Sequence, residues 1–116
     1  MSTITGVCPI IPCPFDETGA VNHDDLARVI TWIAGHGAHA VTLFGIAGEY
    51  YKLTDAERIL MMETSVASAR AAGVPLIVSV TDHATSIAVA RARQWQAMGA
   101  DCLMILPPFF LKPSGA

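Results

Sequence analysis

Four short apolar runs, separated by segments of helical period, set the first constraint on the fold. They are Val7 to Ile11, Ala40 to Phe44, Pro75 to Val80 and Cys102 to Leu106, each of strand rather than helix length. This order, β-α-β-α-β-α-β, is that of βαβ units feeding a parallel sheet. Runs apolar on both faces belong to a sheet covered by helices. At 53% hydrophobic and 15% charged, the 116 residues are too apolar for disorder and sufficient for a packed core. The mean hydropathy of +0.47 raises a membrane reading. However, the longest apolar run, Cys102 to Leu111, is ten residues and contains Pro107 and Pro108, whereas a spanning helix needs about 20.

The helical segments carry their own start and stop signals. Leu26, Val29, Ile30, Ile33 and Ala34 recur on one helical face, with Asn22 as the expected N-cap and acidic residues in the first turn. Thr54-Asp55-Ala56-Glu57 reads as a capping box, followed by Ile59, Met62, Val66 and Ala69 on one side. The third segment places Ala88, Val89, Ala92 and Trp95 inward and turns Arg91, Arg93 and Gln94 outward. Each segment ends near a glycine, Gly37, Gly73 or Gly99, of the kind that closes a helix in the left-handed conformation. The phrases Gly37-Ala38-His39-Ala40-Val41 and Gly99-Ala100-Asp101-Cys102-Leu103 repeat one helix-stop, strand-start pattern.

Seven basic and ten acidic residues give a net charge of −3 without a basic run, which argues against a nucleic-acid partner. Met1 to Thr5 lacks a secretory n-region and h-region, so a cytoplasmic protein is expected. Cys8, Cys13 and Cys102 are odd in number and lack C-x-x-C spacing; buried free thiols are expected rather than disulfides. No metal-ligand spacing is present, and no cofactor is implied.

Functional groups of α/β folds collect in loops after the carboxyl ends of strands. The most informative loop here is Gly45-Ile46-Ala47-Gly48-Glu49, in which two glycines three apart follow a buried strand. Such a loop can bring backbone N–H groups close to a carboxylate or phosphate, or it can simply be a tight turn. It is not a nucleotide fingerprint, because the third glycine and a G-K-[ST] are missing. Gly48 and Glu49 read as structural, Glu49 as a hydrogen-bonded carboxylate. Asp82 and His83 follow the third run, where an N-cap role is expected of one of them. His36 and His39 flank Gly37 as carbonyl caps, and His23 belongs to an exposed first turn. Lys52 and Lys112 read as solvated surface charges.

These residues, in order, resemble a known family. Gly6-Val7 with Pro9 and Pro12-Cys13-Pro14-Phe15, then Phe44-Gly45-Ile46-Ala47-Gly48-Glu49 with Leu53-Thr54-Asp55-Ala56-Glu57-Arg58, and Gly99-Ala100-Asp101 through Pro107-Pro108-Phe109-Phe110-Leu111-Lys112-Pro113 are similar to successive landmarks of the dihydrodipicolinate synthase and N-acetylneuraminate lyase superfamily. The resemblance implies an α/β fold, the N-terminal half of a (β/α)8 TIM barrel. It makes residues 1–116 a single partial-barrel domain truncated after the fourth strand. It also implies a class I aldolase-type lyase acting on a small 2-oxo acid such as pyruvate through a Schiff-base lysine and a proton-relaying tyrosine, and a homo-oligomer when complete. In the family those two residues lie on later strands, so no catalytic residue is expected in this chain and the chain alone is expected to be inactive. Substrate-binding positions carried over are Gly45, Ile46, Ala47 and Phe110, through backbone or shape. Family members usually carry hydroxyl residues where Ile46 and Ala47 stand, and often a tyrosine where Phe110 stands. These departures weigh against a true dihydrodipicolinate synthase and leave a divergent aldolase or a sugar-acid dehydratase.

Two readings from other classes compete. One is a non-catalytic half-barrel that pairs with a copy of itself or with the missing half, since its outer strands would be apolar edges. The other is a flavodoxin-like, doubly wound anion-binding module, because the element order alone does not decide between barrel and open sheet.

Overall fold

The computed structural model describes residues 3–108. In chain order it runs α1 (His23–Gly35), β1 (Val41–Leu43), two 3₁₀ turns (Ile46–Gly48 and Tyr50–Lys52), α2 (Asp55–Ala72), β2 (Leu76–Val80), α3 (Thr85–Met98) and β3 (Cys102–Ile105). The strands are parallel and lie in the order β1-β2-β3. The N-terminal run lies beside β1, where Thr42 N donates to Pro9 O and Ile11 N to Thr42 O, both at 2.8 Å. Only the Ile10–Thr42 pair forms a bridge, so the expected first strand is shortened to a single contact. Pro9 contributes to this: residues 9 and 11 face β1, and Pro9 brings no N–H to the ladder. The run sits at the end of the sheet. A doubly wound sheet would place it between two others, so that alternative does not describe this chain.

Register sorts the strands into two faces. Val41, Leu43, Leu76, Val78, Val80 and Leu103 share one face, and Thr42, Ile77, Ser79, Cys102 and Met104 share the other. The first face packs on the helices, where Val41, Leu43, Leu76, Val78 and Val80 join Leu26, Ile30, Met61, Met62 and Trp95 in one buried core. Each fully buried aliphatic chain of this kind contributes about 1.5–3 kcal/mol. The second face is more polar: Thr42 Oγ1 donates to Cys8 O at 3.3 Å and Ser79 Oγ to Met104 O at 3.4 Å.

Helix starts follow the sequence at two of three places. Asn22 caps α1, its side chain accepting from Asp25 N at 3.0 Å. Thr54 and Glu57 form the capping box of α2. Removing such a cap typically costs about 1 kcal/mol. α3 differs, since its N-cap is Ala84, without a side-chain bond, and neither Asp82 nor His83 fills that role. α2 and α3 close on Gly73 (φ 71) and Gly99 (φ 111).

The inward face of α3 also differs from expectation. Val89 is 44% exposed, whereas the Arg91 side chain is only 13% exposed. Residues 88, 91, 92 and 95 share one helical face. Assigning Arg91 by polarity placed it outside, but its guanidinium packs 5.4 Å from the Trp95 ring centroid and reaches Asp55 at 2.8 Å. The cysteines are free, as expected, yet not buried: Cys8 and Cys13 are intermediate and Cys102 is exposed.

The repeated helix-stop phrases perform one job twice. His39 N donates to Val7 O at 2.9 Å while Val7 N donates back to His39 Nδ1 at 3.1 Å. Asp101 N likewise donates to Leu76 O at 2.9 Å, and Leu76 N donates to Asp101 Oδ2 at 2.9 Å. In each case one residue entering a strand clamps both backbone groups of a residue in the preceding one.

Candidate active-site loop

The loop after β1 is where the carboxyl end of the sheet is most unusual. Phe44 (φ 59) and Glu49 (φ 56) are the non-glycine residues with positive φ among those described, and they bracket Gly45 to Gly48. Each such residue costs on the order of 1–3 kcal/mol, held only where its surroundings impose it. Phe44 thereby ends the expected run Ala40 to Phe44 one residue early. Glu49 joins the two 3₁₀ turns.

The glycines are required by packing rather than by φ. A Cβ on Gly45 would lie 2.7 Å from Ile10 Cδ1, and one on Gly48 would lie 2.7 Å from the Ile11 carbonyl oxygen. The loop therefore rests against the N-terminal run, and substitution there disturbs folding before it can report on a ligand. Gly48 N and Glu49 N donate within the turn, to Gly45 O at 2.9 Å and Ile46 O at 3.0 Å. Among the described residues, the amides of Gly45, Ile46 and Ala47 have no such acceptor, as expected for the opening of a 3₁₀ turn. Gly45 is buried and Ile46 and Ala47 are exposed. The arrangement offers main-chain donors and no hydroxyl.

Glu49 accepts a hydrogen bond from the Lys52 ammonium at 3.0 Å, in an exposed pair. That hydrogen bond, and then the Glu49 charge, raise the Lys52 pKa. A raised pKa keeps the amine protonated and therefore poorly nucleophilic. Phe110 and Lys112 lie outside the described residues.

Asp82 and His83, of which the sequence suggested only a helix N-cap role, line a cavity beside cations that sequence reasoning missed. Tyr50, Tyr51, Arg58, Thr81, Asp82 and His83 line an open cavity of about 320 Å³. The Arg58 guanidinium donates to Tyr50 O at 3.1 Å and lies 5.4 Å from the Tyr50 ring centroid. Asp82 Oδ2 is 3.6 Å from Arg91 Nε, an ion contact beyond hydrogen-bond length. Among the described residues, the buried Nε atoms of both arginines lack a hydrogen-bond partner. The signal available was the helical spacing of Arg91 on the face of Ala88 and Trp95.

Other candidates separate from the loop. Cys13, packed on Met61 Sδ at 3.6 Å, has its pKa pushed up to about 11 by burial and by the charges of Glu57 and Glu49, which leaves it a thiol rather than a nucleophile. His36 Nδ1 lies 2.7 Å from Trp32 O, the expected helix-end contact. His39 instead clamps Val7, and His23 is half-buried against Thr64 Oγ1 at 2.8 Å rather than exposed. Among the described residues no three His, Cys, Asp or Glu side chains gather as a metal site, and no helix is long and apolar enough to cross a membrane.

The Dihydrodipicolinate synthetase family model matches residues 3–116. The 4-hydroxy-tetrahydrodipicolinate synthase of Bartonella quintana is 28% identical over 111 residues, covering 96% of this chain and 37% of that protein. The L-2-keto-3-deoxyarabonate dehydratase of Azospirillum brasilense is 27% identical over 104 residues, covering 90% and 33%. The crystal structure of dihydrodipicolinate synthase from Rhodopseudomonas palustris superposes with a TM-score of 0.81 at 30% identity, covering 89% of this chain and 34% of that one. The chain thus spans about a third of the length of these relatives, and its fold is the N-terminal part of their barrel.

Proposed function

Because the chain belongs to the dihydrodipicolinate synthetase family, we propose that it is the N-terminal part of a (β/α)8-barrel lyase acting on a 2-oxo acid such as pyruvate. In this reading the loop Gly45 to Ala47 holds the substrate carboxylate. The observation that carries it is the set of amides at Gly45, Ile46 and Ala47, without acceptors among the described residues, at the carboxyl end of β1. Successive amides left without acceptors in a turn can receive an anion. The side chains of Ile46 and Ala47 cannot donate, so affinity comes from main-chain geometry.

The covalent step needs a neutral amine to attack the 2-oxo carbon, forming a C=N bond with loss of water. Lys52, held protonated by Glu49, is unsuited to it. In the family the Schiff-base lysine and the proton-relaying tyrosine lie on later strands, so this reading assigns them to the rest of the complete barrel and takes this chain alone as inactive. Without hydroxyls at positions 46 and 47 the loop cannot relay a proton, which favours a divergent aldolase or sugar-acid dehydratase over dihydrodipicolinate synthesis. The same reading takes the complete enzyme as a cytoplasmic homo-oligomer that requires no cofactor.

Titrating the ¹⁵N-labelled chain with pyruvate tests the loop assignment. Saturable shifts concentrated at the amides of Gly45, Ile46 and Ala47 are expected. Saturable shifts elsewhere with none at these three, or no shifts at all, would contradict it. Glycine variants do not serve, because Gly45 and Gly48 contact Ile10 and Ile11 directly.

A further inference from the structure

Alternation along β1 would put Phe44 on the face of Thr42, away from the helices. Its ring lies on the other side. It is 3% exposed, belongs to the helix-side core, and its centroid is 5.3 Å from that of Trp95 on α3. The positive φ of 59 is what turns it there. Trp95 is itself 1% exposed. Its ring is capped by the Arg91 guanidinium at 5.4 Å, which is tied to Asp55 at 2.8 Å and Asp82 at 3.6 Å. Glu49, the other end of the loop, has local partners that account for its conformation; Phe44 is held by tertiary packing.

We propose that Phe44 is a positioning residue: its ring, gripped by Trp95 beneath Arg91, holds the backbone left-handed, and this orients the amides of Gly45, Ile46 and Ala47. The same turn keeps an aromatic ring out of the space beside Thr42, on the face opposite the helices. The proposal rests on the carboxylate reading for its function, and on the shape of the loop for its structure. Strain at a binding loop persists because its surroundings impose it, and here they include the tryptophan that packs on Phe44 and the arginine that caps that tryptophan.

The test compares Trp95→Leu, Phe44→Leu, the conservative Trp95→Phe and a distant core deletion, Ile30→Ala on α1, all in the ¹⁵N-labelled chain. Two readouts are used: the three-bond amide–Hα coupling at position 44, which reports φ, and pyruvate affinity from the loop amides. In Trp95→Leu and Phe44→Leu the coupling should move toward its extended value, the amides of Gly45 to Gly48 should shift, and pyruvate affinity should fall about tenfold or more, as expected when a preorganised site is lost. Trp95→Phe should restore all three. Ile30→Ala should lower stability and leave the loop amides in place. Phe44→Leu keeps an apolar side chain in the core and carries the test if Trp95→Leu does not fold. An unmoved coupling in the Leu variants, or loop shifts of equal size in Ile30→Ala, overturns the proposal. If the coupling follows Trp95 while the unaltered chain ignores pyruvate, the ligand assignment fails and control of the loop by Phe44 holds.

Discussion

A methyl group on Gly48 would meet a carbonyl oxygen of the neighbouring run at 2.7 Å, whereas one on Gly45 would meet the side chain of Ile10. Backbone cannot yield, whereas Ile10 is 38% exposed and its side chain can shift partway, although both its γ carbons lie within 3.0 Å of the added Cβ and no rotamer clears both. Gly48→Ala should therefore destabilise the chain by about 1–3 kcal/mol and Gly45→Ala by less, read as urea midpoints; the reverse order would contradict the packing described. At the start of α2, Glu57 accepts from Thr54 N at 2.8 Å, and this bond lowers its pKa below the ordinary 4.5. A carboxylate with a depressed folded-state pKa contributes stability that is complete above the ordinary value and lost as the pH falls through the folded one. The melting temperature should thus drop on acidification below 4.5, and Glu57→Gln should flatten that part of the profile; an unchanged slope would show that the box carries no such linkage. The capping box was legible because it is a local pattern of residue types. Arg91 was legible only in part: its spacing puts it on the face of Trp95, but the carboxylates it meets, Asp55 and Asp82, come from other segments of the chain, and a charged side chain reads as exposed until such partners are known.

Between elements, the clamps at His39 and Asp101 differ in how much water reaches them. Leu76 is 1% exposed and Val7 is 64% exposed. Asp101→Ala strands the Leu76 amide inside the sheet and should cost about 1–3 kcal/mol, the usual penalty for an unsatisfied buried donor. His39→Ala frees an amide that water can satisfy, so stability should change little while hydrogen exchange at Val7 accelerates. Equal stability losses in the two variants would contradict this account. The repeat itself was visible in the sequence, as were the order of elements and the caps of α1 and α2. The shortening of the first strand could have been read in part from Pro9, which has no N–H to give the ladder. The early end of β1 could not, because nothing about a phenylalanine announces a left-handed φ; only the ring of Trp95, fifty-one positions on, explains it.

At the scale of the molecule, two apolar margins stay uncovered among the described residues. Val7, Pro9, Pro12, Val29, Trp32 and Ile33 line much of a groove of about 560 Å³ between the N-terminal run and α1, where Val7 and Trp32 are exposed. Ile105 is exposed on β3, at the other end of the sheet. Surfaces of this kind associate in water. Sedimentation velocity of the chain should show mass rising with concentration, and Trp32→Lys with Ile105→Lys should shift it toward the monomer. A monomer at every concentration would remove the self-pairing half-barrel as an alternative. In the proposed function these 116 residues hold the carboxylate loop of a 2-oxo acid lyase but not its Schiff-base lysine. Incubation with pyruvate and borohydride, followed by mass spectrometry, tests it most directly: the account predicts no stoichiometric adduct, and a stoichiometric reduced pyruvyl adduct on Lys52 or Lys112 would contradict it.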